Sequence, residues 1–71
     1  MTKTEAAEIM ALDVRVWARE TGRPITRLMC EERVSEWRGN GPSYAGTLKA
    51  AAAAIANPKT VLRCALKEAR R

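Results

Sequence analysis

Few side chains in this 71-residue chain could do chemistry. There is no histidine, so the commonest acid-base group near neutral pH and the commonest metal ligand are both missing. The two cysteines, Cys30 and Cys64, fall short of the four ligands that a structural zinc site takes. Both stand beside apolar positions, where a thiol acts as a small buried hydrophobe more readily than as a nucleophile. Glu31 and Glu32 are adjacent, and adjacent residues on a helix do not face each other, so they are not a paired-carboxylate site. As negative charges they suit the start of a helix, where the dipole favours them. Gly39-Asn40-Gly41 lacks the lysine and the preceding strand that a phosphate-cradling loop requires. Neither catalysis nor a metal nor a cofactor is expected.

The chemistry that remains is recognition, and it is concentrated in Arg33–Tyr44, RVSEWRGNGPSY. Val34 and Trp37, three apart, anchor a short helix inward and leave Arg33, Ser35, Glu36 and Arg38 pointing outward. Gly39-Asn40-Gly41-Pro42 supplies a tight turn with a fixed exit, and Ser43 suits the cap of a following helix. The candidate partner-binding residues are therefore Arg33, Ser35, Glu36, Arg38, Asn40 and Ser43.

The elements that must position this stretch are all helical. Thr2-x-x-Glu5 matches a capping box, and nothing interrupts the helix it opens before about Thr21. At 100° per residue Ala6, Ala7, Met10, Val14, Trp17 and Ala18 share one broad face, while Ile9, Leu12 and Val16 form a second stripe, with Asp13 and Glu20 dividing them. One apolar face is enough to dock a helix on its own domain. The second stripe is covered either by the same helix of another subunit or by later helices wrapping both sides. Gly22 suits the left-handed position that closes the helix, and Pro24 the first turn of the next. Ile25, Leu28 and Met29 point almost opposite to Cys30, Val34 and Trp37, which places a break near Glu31-Glu32 and makes two short helices joined by a tight turn. Ser43 to about Ala56 is a fourth helix with Tyr44, Leu48, Ala51, Ala52 and Ile55 inward. Its five consecutive alanines, Ala50–Ala54, serve as a packing strut. Asn57-Pro58 breaks the chain and opens a fifth helix, with Val61, Leu62, Ala65, Leu66 and Ala69 on one face and Lys59, Arg63, Lys67 and Arg70 on the other. The expected fold is all-α, a small bundle of four to five helices with a long first helix and a compressed helix-turn-helix, forming a single domain over residues 1–71.

Charge and length set the company such a domain keeps. Met1–Ser35 holds six Lys/Arg and six Asp/Glu, and Glu36–Arg71 holds seven and two, so the net charge of +5 comes entirely from the second half. An anionic partner for that half is one reading, and a solubilising surface with a basic last turn is the other. A chain this short buries only about 60% of its unfolded surface, so self-association, most simply as a homodimer through Ile9, Leu12 and Val16, is expected to supply the missing burial. Two cysteines far apart, without a secretory pattern at Met1–Thr4, fit a reduced cytoplasmic setting, and no apolar run nears the roughly 20 residues of a membrane span.

Val34–Ile55, VSEWRGNGPSYAGTLKAAAAAI, resembles the second half of the repressor/Cro-type helix-turn-helix domain. There a recognition helix ending in Val-Ser-x-Trp is followed by a glycine turn, a proline and a Thr-Leu-led helix. The resemblance covers about a third of the chain and implies a dimeric regulator of transcription that inserts Arg33, Ser35, Glu36 and Arg38 into the major groove of double-stranded DNA. The chain departs from the family before that point: LMCEERV is several residues short of the usual spacing, carries no turn glycine, and sets two acidic residues where DNA would approach. In overall build, a long helix followed by a compact helix-turn-helix remnant, the chain is also similar to small phage-encoded early proteins of the quorum-sensing anti-activator type. That resemblance implies a dimer that binds a host regulatory protein instead of DNA.

Overall fold

A capping box opens the first helix. In the computed structural model, which describes residues 1–39 and 46–69, the Glu5 backbone N–H donates to Thr2 Oγ1 at 3.0 Å and the Thr2 N–H donates back to Glu5 Oε1 at 3.0 Å. These hydrogen bonds with Thr2, the backbone one first, hold the Glu5 carboxyl below its ordinary value. The helix, α1, runs Lys3–Thr21 and is closed by Gly22 at φ 65°, whose N–H reaches the Ala18 and Arg19 carbonyls while the Arg23 N–H reaches Ala18 O at 3.1 Å.

Thr26, and not Pro24, starts the second helix. Its hydroxyl accepts from the Met29 N–H at 3.2 Å and its carbonyl from the Cys30 N–H at 3.1 Å, leaving Pro24 in the connection. This helix, α2, runs unbroken over Arg27–Gly39. The expected break at Glu31-Glu32 does not occur, and helical phase explains why. Met29, Arg33, Trp37, Cys30 and Val34 fall within one arc of about 140° at 100° per residue, and that arc is the inward face. Leu28 is simply left outside at 60% exposed, and Ile25 precedes the helix and packs on the core from the connection. Glu31 and Glu32 consequently lie in mid-helix, paired at the surface with Arg27 at 3.1 Å and Arg23 at 3.7 Å.

The third helix, α3, spans Leu48–Ile55 with Thr47 as its cap, accepting from the Ala50 N–H at 3.1 Å. The expected cap Ser43 and inward Tyr44 lie outside the described residues. The inward face also differs from expectation: Ala52 and Ala53 are fully buried, with Ala56 just beyond the helix, whereas Leu48 and Ile55 are exposed and Ala51 faces solvent. Asn57 then caps the fourth helix, α4, Pro58–Ala69, its side chain accepting from the Lys59 N–H at 2.9 Å and its carbonyl from the Val61 N–H at 3.0 Å.

Four helices and no strand among the described residues make the all-α fold expected. α1 packs against each of the other three, and α2 also meets α3 and α4. The core is small-residue packing: Ala6, Ala7, Ala11, Ala18, Ala52, Ala53, Ala56 and Ala65 are buried together, and the largest fully buried side chains are Met10, Met29, Val14, Val34, Val61 and Cys30. Side chains of the Val and Met class each stabilise by roughly 1.5–3 kcal/mol on burial, while alanine contributes mainly by letting helix backbones approach.

The closing turn of α1 yields a direct test. A Cβ at Gly22 meets no atom within 4 Å, so any cost of Gly22→Ala comes from the left-handed backbone alone. It should destabilise by about 1 kcal/mol in urea unfolding. Gly39→Ala, at the helical end of α2 and equally unobstructed, should instead stabilise by about 0.4–1 kcal/mol.

Candidate functional site

Among the described residues one carboxylate is buried, and it organises the polar chemistry around it. Asp13 is 6% exposed, on the face of α1 that also carries Met10, Val14 and Trp17. From α2, Arg33 Nε donates to Asp13 Oδ2 at 2.8 Å, Arg33 Nη2 to Oδ1 at 3.4 Å, and Trp37 Nε1 to Oδ1 at 3.2 Å. From α3, Lys49 Nζ donates to Oδ1 at 3.2 Å. Two rings complete the cluster. The Arg33 guanidinium lies 4.2 Å from the centroid of Trp17, and the Lys49 ammonium lies 5.0 Å from that of Trp37.

Burial pushes the Asp13 carboxyl up, but the hydrogen bonds and charges of Arg33 and Lys49 outweigh it and hold the group below the ordinary aspartate range. A carboxylate with a lowered pKa and four donors around it is a poor general base, and two cations beside it oppose a metal ion. Its chemistry is to tie α1, α2 and α3 together. Burial pushes the Cys30 thiol up to about 11, with Glu31 adding to the rise, so it remains protonated and unreactive at neutral pH. Cys64 is half-buried.

Of the six residues expected to meet a partner, Arg33, Ser35, Glu36 and Arg38 lie among the described ones. Arg33 does not point outward as expected. The arc that buries Val34 and Trp37 carries it inward to Asp13, with its side chain 16% exposed. Arg38 turns back along the molecule, its Nε donating to the Ala53 carbonyl and its Nη2 to the Ala56 carbonyl at 2.9 Å, so that it caps the end of α3. Ser35 and Glu36 are exposed and, with Glu32 and Gly39, line a shallow depression on α2. Asn40 and Ser43 lie outside the described residues. In the second stripe of α1, Leu12 is 55% and Val16 45% exposed, whereas Ile9 is half-buried against the core.

Two surfaces emerge from this placement. On α2 the exposed residues include Leu28, Glu31, Glu32, Ser35 and Glu36, three carboxylates with one apolar residue, flanked by Arg27 and by Arg38, which turns to α3. Between α1 and α4 a groove is lined by Glu8, Ala11, Leu12, Arg15, Cys64, Lys67 and Glu68, with both signs of charge on its rim. Asp13 and Lys49 were not expected as functional residues. The signal for Asp13 was present: it lies three residues after Met10 and four before Trp17, within the apolar arc, where an ionised side chain must be paired. Among the described residues no group of three or more His, Cys, Asp or Glu side chains could hold a metal ion. No helix there is long and apolar enough to cross a membrane. No family model matches the chain, and no significant match to it is found among curated proteins or solved structures.

Removing the Asp13 carboxylate leaves the Arg33 guanidinium buried without its counter-ion. Asp13→Ala should cost roughly 3–5 kcal/mol, against roughly 4–10 kcal/mol of total stability for a chain of this length. Lys49, nearly half exposed, contributes the smaller share of that loss. The folded pKa lies below the unfolded value of about 3.9, so the contribution is complete above that value and is lost as pH falls through the lower, folded one. Urea unfolding at a series of pH values should show wild-type stability falling more steeply between about pH 5 and pH 2 than that of Asp13→Asn, in which this titration is gone.

Proposed function

We propose that the protein is a non-catalytic regulatory domain that binds another protein, setting the acidic outer face of α2 against a basic surface such as the DNA-contacting side of a host transcription regulator. The observation that carries this reading is the internal use of Arg33 and Arg38. Reading guanine edges from α2 requires free guanidinium groups, each bidentate contact contributing about 1–3 kcal/mol of discrimination. Here one guanidinium is held by Asp13 and the other caps α3. What α2 offers outward is Leu28 with Glu31, Glu32, Ser35 and Glu36, an apolar contact beside carboxylates that complements a cationic protein face and repels phosphate. The exposed pairs of Glu31 with Arg27 and Glu32 with Arg23 are surface ion pairs of small energy and are readily exchanged for a partner's cations. The similarity in build to small phage anti-activators points the same way, and such a partner places the protein in the cytoplasm.

The working unit in this proposal is a homodimer. Leu12 and Val16 are exposed on α1 beside a groove whose rim carries Glu8 and Glu68 together with Arg15 and Lys67. A two-fold interface must be complementary to itself, and an apolar strip bordered by both signs of charge meets that condition. A second copy also supplies the burial that an alanine-rich core of this size lacks.

Affinity capture from host lysate with the wild type and with Glu32→Lys/Glu36→Lys tests the partner. A stoichiometric DNA-binding protein should be recovered by the wild type and lost with the folded variant, and adding the wild type should release that protein from its own operator in a gel shift. Equal recovery by both proteins, or a partner whose DNA binding is untouched, would sink the reading. The dimer is tested separately by sedimentation at micromolar concentration. Two subunits are expected for the wild type and one, or an unfolded chain, for Val16→Glu; a monomeric wild type would exclude this interface.

A further inference from the structure

We propose that the solvent pole of α4 is a second binding surface, a cationic ridge that takes the phosphodiester backbone of a nucleic acid. Lys59, Arg63 and Lys67 recur every fourth residue and all three are exposed. On a helical wheel they centre opposite Val61 and Ala65, the two fully buried residues of α4. Successive cations stand about 6 Å apart along the helix, and the ridge spans about 12 Å. That is the length of three to four phosphates of one strand measured along a duplex. The helix expected after Asn57-Pro58 is this α4, and Lys59, Arg63 and Lys67 of its polar face are exposed.

Most other cations of the described residues are engaged, and those that are not, Lys3, Arg15 and Arg19 of α1, do not recur three in a row along one helix face. Arg33 and Lys49 hold Asp13, Arg38 caps α3, and Arg23 and Arg27 meet Glu32 and Glu31. Among the described residues no ion pair or hydrogen bond engages the side chains of Lys59, Arg63 or Lys67. Glu68, the carboxylate of α4, lines the groove against α1, which Lys67 borders at one end of the ridge, while Lys59 and Arg63 stand clear of it. Nothing apolar interrupts the pole, so it offers repeated charge without the buried anchor that a folded protein partner needs. A membrane surface is also a poor fit, because the apolar face of α4 is committed to the core through Val61 and Ala65, with Leu62 and Leu66 half-buried beside them. A linear polyanion needs only evenly spaced cations, and this surface provides them.

Fluorescence anisotropy with a random-sequence DNA duplex, an RNA duplex of the same sequence and polyglutamate, over about 50–200 mM salt, tests the ridge. Wild type is expected to bind a duplex with affinity falling steeply with salt. Lys59→Gln/Arg63→Gln/Lys67→Gln should flatten the log–log slope by about 0.9 for each DNA phosphate that is no longer neutralised. Arg63→Gln alone, expected to flatten it by about 0.9, answers the question if the triple variant does not fold. Lys3→Gln/Arg19→Gln, which removes charge from exposed positions of α1, should leave the slope unchanged. Tighter binding of either duplex identifies the source of the phosphates and supports the proposal. No duplex binding at the lowest salt, an unchanged slope in the ridge variants, or an equal loss in the α1 control would overturn it. Polyglutamate bound as tightly as the duplexes would also overturn it, and would assign the ridge to an acidic protein.

Discussion

The Asp13 carboxylate fixes the arrangement of three helices. It receives Arg33 and Trp37 from α2 and Lys49 from α3, and each donor constrains the rotation of the helix that carries it. For α2 the constraint selects one continuous phase, because Arg33 can reach Asp13 only if the arc from Met29 to Val34 faces inward. For α3 it turns Lys49 toward α1 and, three and four residues on, buries Ala52 and Ala53, at the expense of Leu48 and Ile55. A buried ion pair is weak evidence for stability by itself, since well-packed apolar residues can replace one at no loss. Its effect here is geometric. Among the described residues no buried side-chain nitrogen or oxygen lacks a partner, so a rotated helix would strand a charge that the present arrangement satisfies.

That specificity matters because the apolar core supplies little of it. Alanine faces are smooth, and helices that meet through Ala6, Ala7, Ala11, Ala52, Ala53 and Ala65 could slide or rotate with small changes in buried area. The two tryptophans, large enough to fill a core, instead stack their rings against cations at its polar edge. α3 shows the same economy. Eight residues are too few to hold a helix in water, so both ends are tied, at the start by Thr47 and at the finish by the guanidinium of Arg38.

Much of this was legible in the residues. The capping box at Thr2 and Glu5, the closing Gly22 and the Asn57-Pro58 boundary are local signals, complete within a few residues, and each appears where the sequence places it. Helix phase was less legible wherever a charged residue faces inward. The break expected in α2 comes from counting Ile25 and Leu28 as inward, although Leu28 is exposed and Ile25 precedes the helix. Counting Arg33 as solvent-facing and Asp13 as a divider between apolar stripes then hides the hub that joins them. The two errors are one, because each charge is buried only on account of the other, and their separation of 20 residues conceals the pairing from any local window. The second stripe of α1 was legible as a stripe, but whether later helices cover it is a tertiary matter: Ile9 packs on the core while Leu12 and Val16 stay exposed. The inward face of α3 was not, because Leu48 and Ile55 outrank alanine in hydrophobicity and only the tertiary demand on Lys49 and Arg38 reverses the order.

Engaging cations within the fold also changes what the net charge means. The charge of +5 lies in the second half of the sequence. In the fold, Arg33 is spent on Asp13 and Arg38 on the carbonyls of α3, and both come from the helix whose outward residues include Glu31, Glu32 and Glu36. α2 exposes Glu31, Glu32 and Glu36 beside Arg27, which pairs with Glu31 at the surface, and Arg38, whose guanidinium is engaged by the carbonyls of α3, while Arg33 is turned inward. In α4 the buried residues are all apolar, so Lys59, Arg63 and Lys67 stay outside and their charge reaches solvent undiminished. The polar hub that orients the helices thus also sorts the surface charge, drawing arginines out of one face and none out of the other. Surfaces of opposite sign on one small scaffold repel each other's partners, and a domain built this way discriminates between a cationic protein face and a polyanion by which helix it presents.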